Sequence, residues 1–251
     1  MSRGATRWER AADQYATGEH KSGRELELVV DFAAPRGTER VLDVGAGAGH
    51  TALALAPHVR SVVVTDPVDG MLAAARRVFA EAGAHNAEFV RATAEHLPFP
   101  HASFEIVTSR LAAHHFDDVP QAMREIARVL RPGGLFIFVD TTAPLDDQAA
   151  QFQDAVERLR DSTHQRLYTQ TQWVAFAEDA GFRIERMDLV RKGHAFEPWL
   201  QRGGEEVQTM QRVREQFLHA PESAVRALEI TTANETVSSF TDSKLVFAAR
   251  Y

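Results

Sequence analysis

Three glycines in five positions, Gly45, Gly47 and Gly49, follow the apolar run "RVLDV" and lead straight into "HTALALAPHV". Glycine permits positive φ and a close approach of backbone to ligand, so such a turn after a buried strand could cradle a nucleoside-bearing molecule. The spacing is not that of the dinucleotide fingerprint G-x-G-x-x-G, because His50 stands where the third glycine belongs. Asp43, two residues before the turn, is a poor neighbour for a pyrophosphate and a good one for an ammonium or a sulfonium. Asp66 closes "SVVVTD". An acid there can accept from both ribose hydroxyls, although "DP" is also ordinary helix-start chemistry. The polar turn "RATAEHLPFP" could present groups to an adenine edge or be a plain loop.

Other residues could act on a second molecule. His114 and His115 in "AAHHF" follow a fourth strand, where open α/β sheets bind ligands. Imidazole titrates near neutral pH, so either could orient or deprotonate an acceptor, or cap the next helix and pack. His164 in "DSTHQR" is a further catalytic candidate. With Arg160 and Arg166 nearby, its segment could hold an anion or be a solvated loop. Phe196 and Trp199 fit an apolar lid or ordinary packing. No metal site is expected. The adjacent histidine pair cannot converge on one ion from a regular strand or helix, no H-x-x-x-H pair has a carboxylate beside it, and cysteine is absent.

The elements that must position these residues are legible as alternation. Strands are expected at "RVLDV", "SVVVTD", "AEFVRA", "SFEIVTS" and "LFIFVDT", with helices "HTALALAPHV", "PVDGMLAAARRVFAEAGA" and "DVPQAMREIARVL" between them. This βαβ rhythm predicts an α/β fold: a Rossmann-like, doubly wound, mostly parallel seven-stranded sheet with an antiparallel C-terminal strand. Residues 8–34 read as one or two helices, with Leu26, Val29, Val30 and Ala33 on one face. Helices over 146–161 and "TQTQWVAFAEDAGF" precede the strand "RIERMDLVRK", and "KLVFAARY" is a terminal strand. The expected organisation is a single domain over 1–251. Its core is 36–193 and 241–251, its N-terminal helices 5–34, and its helical cap 194–240, inserted over the mouth of the sheet.

Composition narrows the classes of function. The chain has 251 residues, 44% hydrophobic and 25% charged, as in globular proteins generally. A net charge of −7 without a basic tract argues against a broad grip on nucleic acid or an anionic membrane. No apolar run approaches the ~18 residues of a membrane span, and no secretory leader is visible. The expected setting is cytoplasmic.

Taken together, "VLDVGAGAGHTALALA", "VVVTDPVDGMLAAAR", "ATAEHLPFP", "FEIVTSRLAAHHF" and "EIARVLRPGGLFIFVD" fall in an order and spacing that resembles the class I S-adenosylmethionine-dependent methyltransferases. Within that class the chain is similar to the small-molecule branch of the ubiquinone and menaquinone biosynthesis methyltransferases. The resemblance covers residues 40–141 best and weakens beyond 145. It implies S-adenosyl-L-methionine as cofactor and S-adenosyl-L-homocysteine as product. It implies that Asp43, Gly45 and Gly47 line the methionine end. Asp66 would hold the ribose, with Pro67 and Met71 near the adenine and Thr93, Ala94 and Glu95 at its edge. Ser109, Arg110 and Leu111 would lie beneath the sulfonium, and Tyr15 and His20 would close over the cofactor. Many relatives carry aspartate where this chain has Thr93, whose hydroxyl still accepts.

The chemistry implied is in-line displacement of a methyl group, in which alignment and desolvation supply much of the acceleration. A general base is needed only where the acceptor must lose a proton. The expected activity is therefore C-, O- or N-methylation of a small organic acceptor. Two other readings stand beside it. A nicotinamide-dependent oxidoreductase is opposed by the misplaced glycine and by the absence of a Tyr-x-x-x-Lys pair. A non-catalytic cofactor-binding module is opposed by the intact turn and Asp66. The cap could also serve a homodimer.

Overall fold

The computed structural model describes residues 21–202 and 206–251. Tyr15 and His20 lie outside them. Strands β1 (Arg40–Val44), β2 (Ser61–Asp66), β3 (Ala87–Arg91), β4 (Phe104–Arg110) and β5 (Leu130–Thr142) alternate with helices except between β3 and β4, which a loop joins. The helices are α1 (Arg24–Ala33), α2 (His50–Leu55), α3 (Asp69–Glu81) and α4 (Val119–Val129). Then follow α5 (Asp147–Arg160), α6 (Gln170–Asp179), β6 (Arg183–Ala195), α7 (Phe196–Gln201), α8 (Val207–Leu218), α9 (Glu222–Ala227), β7 (Thr231–Ala233) and β8 (Thr236–Arg250). The sheet order is β3-β2-β1-β4-β5-β8-β6, with β7 pairing to β8. The first five strands pair in parallel, and β8 runs antiparallel to both β5 and β6. This is the Rossmann-like, doubly wound arrangement that the alternation predicts.

Period-two alternation along the strands divides the core between two faces. Leu42, Phe136, Phe138 and Phe247 pack with Met123 and Ile126 of α4 and Trp173 of α6. Val41, Val62, Ile137 and Val246 pack on the other face with Leu28 and Phe32 of α1 and Leu72 and Phe79 of α3. The strand order reverses between β1 and β4, where such sheets open a crevice at their carboxyl ends. The glycine turn, Asp66 and Arg110 all stand at that edge.

The C-terminal third differs from expectation in its strands. β8 starts at Thr236, ahead of "KLVFAARY", and β6 continues to Ala195, opposite Ser239. The added strand β7 joins β8 through Asn234 and Glu235, whose φ values of 50° and 60° make a two-residue hairpin turn. An Asn-Glu pair is a weaker turn signal than Asn-Gly, which is why the sequence read as helical cap there. The cap helices α7 to α9 are inserted between β6 and β7. Phe196, Trp199 and Phe217 pack there against Val156 of α5 and Phe240 of β8. No helix among the described residues is long and apolar enough to cross a membrane.

Candidate functional site

One cavity of about 880 Å³ opens at the carboxyl ends of the strands, from the glycine turn to the underside of the cap. At one end Gly45, Gly47 and Gly49 adopt φ of +66°, +54° and +78°, the left-handed region that glycine tolerates best. A Cβ on Gly47 would meet nothing within 4 Å, so this backbone lies bare at the cavity wall. Asp66 folds the turn toward itself. Its Oδ2 accepts from the Gly47 N–H at 2.9 Å and its Oδ1 from the Val68 N–H at 2.9 Å. Burial pushes its carboxyl up to about 6, against the pull of those two donors. The carboxylate still lines the cavity with lone pairs to spare. A floor of bare backbone beside one acceptor at the end of β2 fits a ribose-bearing cofactor.

Asp43 does not line the cavity, contrary to the expectation that it meets the methionine end. Its side chain turns under the loop, where Oδ1 accepts from the Thr108 hydroxyl at 2.7 Å and Oδ2 from the Ala52 N–H at 3.2 Å. Burial raises this carboxyl to about 6 as well. It ties β1 to α2 and β4, and acts on a ligand only through the turn. Ser109 also departs from expectation. It is 1% exposed beneath the cavity floor, and its hydroxyl has no hydrogen-bond partner among the described residues. Strand alternation explains both, because neighbours along β1 and β4 face opposite sides.

The structure brings the remaining described candidates together on the wall: Gly45, Gly47, Asp66, Pro67, Met71, Thr93, Ala94, Glu95, Arg110, Leu111, His114, His115 and His164. Glu95 has its carboxylate engaged, since Oε1 accepts from the Asp117 and Asp118 N–H groups at 3.0 and 3.3 Å. Arg110 donates to the Thr51 hydroxyl at 2.9 Å and pairs with buried Glu25 at 3.7 Å. Glu25 in turn accepts from Lys192 at 2.7 Å.

At the other end, three histidine rings from two segments converge. The His114 centroid lies 4.0 Å from that of His115 and 5.3 Å from that of His164. Nδ1 of His114 is 2.6 Å from Oδ1 of Asp140. Nδ1 of His115 is 3.1 Å from the Thr163 carbonyl. Nε2 of His164 is 3.4 Å from Asp154, and burial, then the neighbouring His114, lowers its pKa. Residues that the sequence did not single out complete this end. Lys244 donates to Asp242 and to the Thr141 hydroxyl, each at 2.7 Å, and His194 stands 3.1 Å from Asp242. Burial alone would raise the Asp242 carboxyl, but Lys244 and His194 hold it well below the carboxylate range. Arg160 and Trp199, both noted in the sequence, also meet here, with the guanidinium over the Trp199 ring at 4.4 Å. Among the described residues, no group of three or more His, Cys, Asp or Glu is placed to hold a metal ion.

The sequence matches one known family and several known proteins. A family described as "Methyltransferase domain" matches residues 42–138. The uncharacterized methyltransferase YcgJ of Bacillus subtilis is 38% identical over 202 residues, 80% of each chain. The crystal structure of YcgJ superposes with a TM-score of 0.86, covering 90% of this chain and 97% of its own. That of protein BH2331 from Bacillus halodurans C-125 gives 0.87 at 34% identity, covering 91% and 99%. The ubiquinone/menaquinone biosynthesis C-methyltransferase UbiE of Vibrio vulnificus is 29% identical over 155 residues, 60% of this chain and 59% of its own. With the glycine turn, Asp66 and the sheet order in place, the chain belongs to the class I S-adenosylmethionine-dependent methyltransferases.

Proposed function

We propose that this methyltransferase acts on a small polar molecule bound beneath the cap, in the same cavity as the cofactor. The observation that carries the reading is the continuity of that cavity. It runs from bare backbone at Gly47 to the His114, His164, Lys244 and Trp199 end. Its volume of about 880 Å³ lies within the range that small-molecule sites occupy. Gly45, Gly47, Asp66, Met71 and Thr93 would take the cofactor, with Asp66 accepting from the ribose. Trp199 would supply an apolar wall for the acceptor, and Lys244 and His194 would orient its polar groups. S-adenosylmethionine, when bound, supplies an electrophilic methyl group. The protein's part is to align the acceptor, exclude water under α7 and α8, and hold or remove a proton.

Two measurements test this. Parallel calorimetric titrations with S-adenosylmethionine, S-adenosylhomocysteine and NAD should show binding of the first two alone. Incubation of the whole chain and methyl-labelled S-adenosylmethionine with a fractionated bacterial extract should then place label in the small-molecule fraction. Label confined to protein or RNA would refute the small acceptor while leaving the enzyme class intact.

A further inference from the structure

We propose that His114, held by Asp140, is the base that takes the proton from a weakly acidic hydroxyl, phenolic or enolic, on the methyl acceptor. The proposal rests on the reading of the cavity given above. It starts from Asp140, which is fully buried in β5. Oδ2 of Asp140 accepts from the His114 backbone N–H at 3.1 Å, and Oδ1 accepts from the Thr141 N–H at 2.6 Å. Two backbone donors keep this carboxylate an acceptor. Nδ1 of His114, 2.6 Å from Oδ1, must therefore carry the proton. The lone pair of the neutral ring is then on Nε2. That atom has no hydrogen bond among the described residues, and the ring lines the cavity.

The neighbouring histidines lack this combination. His115 turns Nδ1 to the Thr163 carbonyl and hydroxyl, at 3.1 and 3.2 Å. His164 is buried with Nε2 toward Asp154. His194 comes nearest to His114, with the buried Asp242 carboxylate beside its Nε2 and no hydrogen bond on Nδ1 among the described residues, but that Nδ1 is sealed from solvent.

The acceptor class follows from base strength. Imidazole can draw a proton from a phenol or an enol with modest driving force. An aliphatic alcohol is far less acidic, and a free amine or thioether attacks without losing a proton first. In the step, the O–H bond breaks, its electron pair stays on oxygen and the proton moves to Nε2. Oxygen forms the new bond to the methyl carbon, and the pair of the broken carbon–sulfur bond remains on sulfur. The positive charge ends on the imidazolium, which Asp140 stabilises until the proton passes to water. Asp140 is a positioning residue, because it acts through His114. The groups facing this ring are Asp140 from β5, His115 from its own turn, and His164 from the segment after α5. Glu157 and Asp154 of α5 stand behind His164.

The test uses the full chain and phenols carrying zero to five ring fluorines, so that the hydroxyl goes from un-ionised to ionised at the assay pH. Calorimetry with S-adenosylmethionine comes first, and absent binding there would defeat the underlying reading rather than this one. Given binding, wild type should methylate the phenols on oxygen. His114→Gln should lose about 100-fold in kcat on phenol itself and little on pentafluorophenol, which needs no base. Asp140→Asn should lower kcat on phenol with KM little changed. Nitrogen NMR of the wild-type chain should show His114 as the Nδ1–H tautomer, and Asp140→Asn should shift it. An equal loss across the phenols, no turnover of any phenol by an enzyme that binds the cofactor, or an Nε2–H tautomer would each overturn the proposal.

Discussion

Asp66 is held by two backbone N–H groups and still faces the cavity, so its effect on a ligand depends on its charge. Ribose hydroxyls donate, and only the anion offers them free lone pairs on both oxygens. Burial places the free carboxyl near 6. Below that pH the protonated form competes, and binding must release a proton. The dissociation constant for S-adenosylhomocysteine should therefore rise about tenfold per pH unit below about 6 and level off above 7. Asp66→Asn should weaken binding about 10- to 100-fold at pH 7.5, as expected for loss of a charge-assisted hydrogen bond. It should also flatten the pH dependence. Calorimetry at five pH values reads both effects, and an unchanged slope in the variant would move the titrating group elsewhere.

The glycine turn is an element in which Gly45 and Gly47 have different reasons to be glycine. At Gly45 an added Cβ would lie 2.7 Å from the Ala112 Cβ, closer than real contacts allow. At Gly47 it would project into the cavity. Gly45→Ala should therefore cost about 2–4 kcal/mol of stability, combining a strained φ with overpacking. Gly47→Ala should cost about 1–2 kcal/mol and weaken cofactor binding more than Gly45→Ala does. Urea denaturation set beside calorimetry separates the two; equal stability losses would mean that Ala112 yields. This turn and the parallel strands were legible because both are local: a short apolar run, a glycine cluster and a helix stand in sequence order. The direction of Asp43 was not legible, because one residue of strand register decides between cavity and interior. Asp140, His194, Asp242 and Lys244 carry no local signal. They meet only because β5, β6 and β8 lie side by side, which the topology decides. The histidines were visible as a residue type in a segment after a strand, but the carboxylate behind His114 was not.

At the scale of the whole molecule, the buried charges set a stability profile whose parts oppose one another. Asp43 and Asp66 are raised by burial to about 6 from an ordinary 3.8. Between those values the native state binds more protons than the unfolded chain, so these two groups add stability as pH falls through 6. Each is worth about 3 kcal/mol over its full range, on the scale of 1.36 kcal/mol per unit. The pair yields less than twice that, since each charge raises the cost of the other. His164 works the other way. Burial and the nearby His114 lower its pKa from 6.5, so below that value the unfolded chain takes up the proton first and stability falls. Glu25, Glu157 and Asp242 would be raised by burial, but Lys192, Arg160 and Lys244 hold them below the usual range. Their contribution is present at neutral pH and is lost only below about 4, where the unfolded carboxylates take up protons. Between pH 7 and 5 the cofactor-free protein should thus show a shallow profile, two carboxylates against one histidine. His164→Gln removes the opposing group, and its unfolding free energy should rise more steeply than wild type as pH falls from 7 to 5. Asp66→Asn removes a favourable group and should make the profile flatter or reverse it. Urea denaturation of the three proteins at pH 5, 6 and 7 decides the matter, and three parallel profiles would show that these buried groups do not set the acid side. Saturating S-adenosylhomocysteine should turn the wild-type profile over, with greater stabilisation at pH 7 than at pH 5, because the ligand favours the Asp66 anion that the empty cavity disfavours.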